Sequence, residues 1–182
     1  MPEILTEERK TVTEMLSSPC TGTLVPLASL SDPVFREKVL GDGFAVEPEE
    51  HGDGEIVSPV NGTVLHVQST SHAVSIRSEG GLEILVHVGI DTVSMDGEGF
   101  RVYVKAGDTV RRGERLLHAD FEKIRRRGFG TACVVLISDM EKTEQIELRF
   151  PGGTSVRAGK TPVLSADLYR ERTGRETGKE RE

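Results

Sequence analysis

Leu82-Glu-Ile-Leu-Val-His-Val-Gly-Ile-Asp is the stretch on which the reading of the fold turns. In an extended chain, successive side chains point to opposite faces. Ile84, Val86, Val88 and Ile90 then share one face, and Leu85, His87 and Gly89 share the other. The first set predicts a core face. The second sends an imidazole outward, with an apolar neighbour at Leu85 and open space at Gly89.

The flanking sequence repeats this style. Gly22-Thr-Leu-Val, Thr63-Val-Leu-His-Val and Ala73-Val-Ser-Ile are short, rich in β-branched residues and bounded by turn formers. Ala132 to Ile137 is a continuous apolar run, suited to a fully buried strand. Alternation returns from Ile146 to Phe150. One short helix is predicted from Phe121 to Arg127, with Asp120 as N-cap and Gly128 as its stop. Many short strands with frequent turns predict an all-β fold, an antiparallel β-sandwich or barrel-sandwich with a few short helical turns.

Internal echoes support this. Ser18-Pro-Cys-Thr-Gly-Thr-Leu-Val resembles Ser58-Pro-Val-Asn-Gly-Thr-Val-Leu, and Val104-Lys-Ala-Gly-Asp-Thr resembles Val156-Arg-Ala-Gly-Lys-Thr. Two similar β units packed face to face would explain both. The expected organisation is a polar lead-in at 1–17 with a weak helix, one domain at 18–165, and a charged, disordered tail at 166–182.

Composition narrows the function classes. With aromatics at 4 % and no Trp, the core must be aliphatic. A net charge of -7 with few aromatics argues against nucleic-acid binding, since little would neutralise phosphates or stack on bases. Cys20 and Cys133 lie far apart and outside any CxxC motif, which reads as free thiols in a reducing cytoplasm. No signal peptide is visible, and no apolar run nears the roughly 20 residues that span a bilayer. A cytoplasmic location without membrane insertion is the expectation.

The histidines carry the chemistry. His51 sits in a polar loop and reads as solvated. His66 and His118 lie in or beside apolar runs and have no defined partner. His87 sits inside a strongly apolar strand, and its pattern leaves two readings open: a working imidazole, or a satisfied half-buried one. His72, preceded by Thr70, opens a second strand. If the two strands pair, two imidazoles and a hydroxyl converge. A neutral imidazole can attack phosphorus, and a second imidazole and a hydroxyl can steady the phosphoryl oxygens. The same two histidines could hold an incidental Zn²⁺, though a structural zinc site wants four ligands. No cofactor is required.

The chain resembles the glucose-type enzyme IIA domain of the phosphoenolpyruvate-dependent sugar phosphotransferase system. The resemblance rests on His87-Val-Gly-Ile-Asp-Thr-Val, Gly97-Glu-Gly-Phe, Thr70-Ser-His-Ala, Ser58-Pro-Val-Asn-Gly-Thr, the segment from Asp32-Pro-Val-Phe to Gly41-Asp-Gly, and Gly107-Asp-Thr-Val. It runs from about Ser18 to Ser165. It implies that His87 takes a phosphoryl group from the phosphocarrier HPr and passes it to a cysteine of a sugar permease's IIB domain. It implies that His72 holds that group and that Thr70 supports the pair. Asp32 and Asp91 would meet positively charged partners, and Val34, Phe35 and Val88 would form the docking face. Gln68, Val74, Leu85 and Val88 stand where such domains often carry aromatics, so a flatter, aliphatic face is expected.

Two competitors lack their essential groups. A biotinyl or lipoyl carrier needs a lysine at its hairpin, and Met95-Asp-Gly offers none. A zinc peptidase needs a third ligand. A regulatory module that binds permeases or metabolic enzymes would use the same histidine, and stays as the alternative.

Overall fold

A computed structural model describes residues 11–169. In chain order its strands are β1 (Val12–Ser17), β2 (Gly22–Val25), β3 (Asp42–Pro48), β4 (Glu55–Val57), β5 (Gly62–Val67), β6 (Ala73–Ser78) and β7 (Glu83–Ile90). These are followed by β8 (Phe100–Val102), β9 (Thr109–Val110), β10 (Arg115–Ala119), β11 (Gly130–Ile137), β12 (Thr143–Leu148), β13 (Ser155–Val156) and β14 (Pro162–Leu168). Two short helices interrupt them, α1 (Pro33–Arg36) and α2 (Phe121–Arg126). The Asp120 carboxylate caps α2 by accepting from the Lys123 N–H, and Gly128 follows with φ +81°. The all-β expectation and the predicted helix hold.

All strand pairs are antiparallel, and the main sheet runs β13-β2-β3-β11-β7-β6-β5-β9. That order is palindromic about β7 and β11. Val86 lies opposite Val135, and the register opens symmetrically from there. The segments before β2 and β5 bond reciprocally, Ser17 N–H to Pro59 O at 2.9 Å and Val57 N–H to Pro19 O at 2.8 Å. The sheet therefore curls until its two wings meet. Ser18-Pro-Cys-Thr-Gly and Ser58-Pro-Val-Asn-Gly are the two faces of that meeting.

The first echo is thus a true structural repeat. Its two units join side by side through β7 and β11 and do not form two separate facing sheets. The second echo falls in a different register. Val156 pairs with Gly22 as Val110 pairs with Gly62. The mate of Val156-Arg-Ala-Gly-Lys is therefore Val110-Arg-Arg-Gly-Glu, and the likeness to residues 104–109 came from shared turn chemistry.

Two cores use the two faces of the sheet. Inside the curl lie Leu24, Phe44, Val46, Val64, Ile76, Ile84, Val86, Val88, Val135 and Ile137. Outside, under α1, lie Leu27, Leu30, Phe35, Ala45, Ile90, Ala132, Val134 and Leu136. This explains why Ala132–Ile137 is apolar at every position: one face of β11 meets each core. Each buried aliphatic side chain contributes about 1.5–3 kcal/mol.

The ends depart from the sequence reading. Residues 12–17 form β1 and pair with β14, so that part of the expected lead-in is a strand and not a weak helix. Met15 and Leu16 are apolar because they line a sheet. Likewise β14 continues to Leu168, past the expected domain limit at Ser165. The rest of the expected lead-in and tail, 1–10 and 170–182, lies outside the described residues. Among the described residues, no helix is long and apolar enough to cross a membrane.

Candidate functional site

β7 follows its predicted alternation through Val88 and then breaks it. Ile84, Val86 and Val88 enter the inner core, but Ile90 lands in the outer one, on the side of His87. The cause is Gly89, which has φ +80°. A side chain there would also run into Thr92 and the Gly130 carbonyl. The kink turns the end of β7 outward, and the Thr92 hydroxyl secures it by donating to the Val88 carbonyl at 2.6 Å.

β6 and β7 pair as the site requires. Ala73 lies opposite His87, and the Val88 N–H donates to the His72 carbonyl at 2.9 Å. The two imidazole centroids are 4.8 Å apart, with planes at 82°. Thr70 Oγ1 and His72 Nδ1 share a hydrogen bond of 2.8 Å. His72, His87 and Thr70 therefore converge as the sequence predicts.

The environment of His87 sets its chemistry. Phe35 packs edge-on against the ring, with centroids 4.9 Å apart, in addition to the contact with His72. Nδ1 is buried and makes no well-formed hydrogen bond, although the Gly89 backbone acts on the ring as an acceptor. The ring is only partly buried, so it meets solvent through Nε2. Burial chiefly, then the neighbouring His72, pushes the pKa of His87 down to about 4. The Gly89 backbone and the Asp32 carboxylate pull weakly the other way. Burial also lowers the pKa of His72. At neutral pH both rings are uncharged, and Nε2 of His87 is an available nucleophile.

The docking residues divide. Val34 is exposed, as is Asp91. Asp32 lies beside the site, but its carboxylate caps α1 by accepting from the Val34 N–H at 2.8 Å. Val88 is 0 % exposed and belongs to the inner core, so it cannot dock a partner. Phe35 is 3 % exposed and supports His87 from below. The two corrections have different reasons: Val88 lies on the inner face of β7, enclosed by the curled sheet, whereas Phe35 is the side chain that α1 turns down onto the outer face. Val74 is buried too, so no aromatic there could have joined a rim.

The sequence reading missed Val39, Leu40 and Val93, which are 67 %, 45 % and 53 % exposed. Val39 sits beside Val34 through its N–H bond to the Val34 carbonyl at 3.0 Å. Val93 follows the Gly89 kink in a 3-10 turn over Thr92–Met95. The available signal was an apolar pair, Val39-Leu40, placed in a turn with no strand or helix to bury it. No group of three or more His, Cys, Asp or Glu that could hold a metal ion occurs among the described residues.

Comparison with known proteins agrees with this geometry. Residues 14–143 match the family of the phosphoenolpyruvate-dependent sugar phosphotransferase system, EIIA 1. A glucose-specific EIIA component of Halalkalibacterium halodurans is 38 % identical over 152 residues, covering 84 % of this chain and 85 % of the relative. A glucose-specific EIICBA component of Streptococcus pneumoniae is 43 % identical over 159 residues, covering 87 % of this chain but 21 % of that longer protein. The solved glucose permease IIA of Mycoplasma capricolum superposes with a TM-score of 0.73 at 30 % identity, covering 84 % of this chain and 96 % of that one.

Proposed function

The chain belongs to the EIIA 1 family of the phosphoenolpyruvate-dependent sugar phosphotransferase system and is a phosphoryl carrier of that system; on that premise we propose that the phosphoryl group travels on Nε2 of His87. The observation that carries this reading is the asymmetry of the ring. Nδ1 is buried, which leaves Nε2 as the nitrogen open to a partner, on a ring packed beside His72.

Nε2 attacks the phosphorus of phospho-HPr. A P–N bond forms as the donor's bond to phosphorus breaks. A depressed pKa keeps the attacking lone pair free at neutral pH. The phosphoryl oxygens then lie next to His72. A Thr70 hydroxyl donating to His72 Nδ1 places the remaining proton on Nε2 of that ring. That proton can be donated to a phosphoryl oxygen, which preorganises the site for charge. The second transfer delivers the group to a cysteine of a permease IIB domain.

Docking on the apolar surface of Val34, Val39, Leu40 and Val93, near Asp32 and Asp91, supports this exchange. A covering partner would exclude water from the labile P–N bond, and the carboxylates would steer basic partners. Phosphorylation adds about two negative charges there and so changes which partner fits. The reading places the exchange in the cytoplasm. An incidental Zn²⁺ at His72 and His87 would need further ligands from water or a partner.

The test is intact-mass analysis after incubation with phosphoenolpyruvate, enzyme I and HPr. One acid-labile phosphoryl group should appear, and none with His87→Ala. Normal labelling of His87→Ala would refute the assignment. The relatives' names make a glucose permease's IIB the first acceptor to test. Acceptance with no onward transfer to any IIB would favour the regulatory reading.

A further inference from the structure

The repeated turns are not used by the carrier site. Gly113 and Gly159 occupy equivalent positions, with φ of +86° and +67°. Each donates its N–H to an equivalent serine, Gly113 to Ser58 O at 2.9 Å and Gly159 to Ser18 O at 2.8 Å. The next pair matches too: the Arg112 N–H donates to Asn61 Oδ1 at 2.8 Å, and the Ala158 N–H to Thr21 Oγ1 at 3.1 Å. The turns touch. A Cβ on Gly159 would come within 2.6 Å of Gly113 Cα. Their mutual approach leaves a cleft of about 410 Å³ lined by Arg111, Arg112, Glu114 and Lys160 beside the glycines.

The charge of this cleft is out of keeping with the chain. The protein carries -7. Elsewhere most of its exposed cations find carboxylates, among them Lys38, Arg77, Lys105, Lys123 and Arg127, with Arg101 and Arg149 as exceptions among the described residues. Among the described residues, the side chains of Arg111 and Lys160 have no hydrogen-bond or ion-pair partner. Neither does Arg157, just before the second turn. Arg112 is fixed by donating to the Met15 carbonyl at 2.6 Å, and its charge also acts on the nearby Glu14 carboxylate. Within the lining itself Glu114 is the one carboxylate set against these cations.

The cleft is also remote from the histidines. Val110 pairs with Gly62, which pairs with Ser78. Ala73, opposite His87, is at the other end of that strand. The separation along β6 is about 17 Å at roughly 3.3 Å per residue.

We propose that this cleft binds a phosphate-bearing anion, clamped by Arg111, Arg112 and Lys160. Two guanidinium forks and an ammonium, less one carboxylate, match a phosphate dianion in charge and in donor geometry. The phosphate can belong to a soluble metabolite or to a lipid headgroup.

The test uses the isotope-labelled full chain with inorganic pyrophosphate as the probe. The amide resonances of Gly113, Gly159 and Lys160 should shift saturably while the ring resonances of His72 and His87 stay still. Combining Arg111→Gln with Lys160→Gln should weaken binding by roughly tenfold or more. Glu114→Gln should strengthen it. The double variant should accept phosphoryl groups at the unaltered rate, which separates this site from the carrier site. Charge-dependent binding to phosphatidylglycerol vesicles, with no response to pyrophosphate, would assign the phosphate to lipid. Tighter binding of an oligoglutamate peptide than of pyrophosphate would overturn the proposal. So would shifts confined to the histidines, or no response to either phosphate source.

Discussion

β5, β6 and β7 form one half of the main sheet, and β2, β3 and β11 form its mate. The register that places Ala73 opposite His87 places Gly43 opposite Leu136. His87 is therefore the counterpart of a buried leucine. His72, just before Ala73, is the counterpart of Asp42, which pairs with Lys38. The connections differ more than the strands do. A tight loop at 68–72 joins β5 to β6, whereas residues 26–41 join β2 to β3 and carry α1. That longer connection crosses the outer face and sets Phe35 against the other half's imidazole. The lesson is that the repeat supplies a rigid frame and its departures supply the chemistry.

The sharpest way to break this contrast is to truncate both counterparts. His87→Ala should remove phosphoryl acceptance completely and leave the fold intact by circular dichroism. Leu136→Ala should do the reverse, costing about 2–5 kcal/mol in urea unfolding while labelling persists in the folded fraction. If Leu136→Ala alone abolished labelling of folded protein, the division of labour between the halves would be wrong.

A second substitution sharpens the division inside the active half. His72→Gln should still accept the group but pass it to IIB roughly ten- to a hundredfold more slowly in single-turnover assays. It should also raise the titration midpoint of His87, because the neighbouring ring helps to lower it. An unchanged midpoint together with unchanged transfer would leave His72 without its supporting role.

Acid should also separate the halves. The folded pKa of His87 is about 4, below the unfolded value of about 6.5. As pH falls through that window the unfolded chain binds a proton that the folded ring refuses. Stability is therefore lost progressively, by on the order of 3 kcal/mol in all. Acceptance should stay level through neutrality and fall as pH nears 4. His87→Ala should flatten the stability profile, and a ring titration by NMR gives the midpoint directly. A midpoint near 6.5 would remove the burial argument.

The smallest effect concerns Asp32. Its loss as a helix cap should cost about 1 kcal/mol in Asp32→Ala. Asp32→Asn should keep the cap and lose the charge. Slower encounter with HPr in Asp32→Asn, at unchanged stability, would assign the steering role to this carboxylate. Equal rates would leave it a cap alone.

Much of this was legible in the sequence, because alternation is a local property. It put Ile84, Val86 and Val88 on one face and His87 on the other, and the run at 132–137 declared a strand buried on both sides. It could not say which core each face would meet. Ile90 was misplaced because nothing in a period-2 reading registers the φ of Gly89. Phe35 was assigned to a docking surface because the path of residues 26–41 over the sheet is a long-range matter, and Val88 was assigned there by resemblance against an alternation that already turned it inward. Val12–Ser17 reads as polar because an edge strand with one solvated face carries few apolar residues.

The pairing of β1 with β14 has a further consequence. Val12 and Leu168 are direct partners across that ladder, so their Cα atoms sit about 5 Å apart. Chain arriving at the first strand and chain leaving the last pass through the same gate. A unit closed in this way can be spliced into a longer polypeptide as a single bead on a thread, hung from one point. Its imidazoles could then swing between donor and acceptor with no rearrangement of the unit itself.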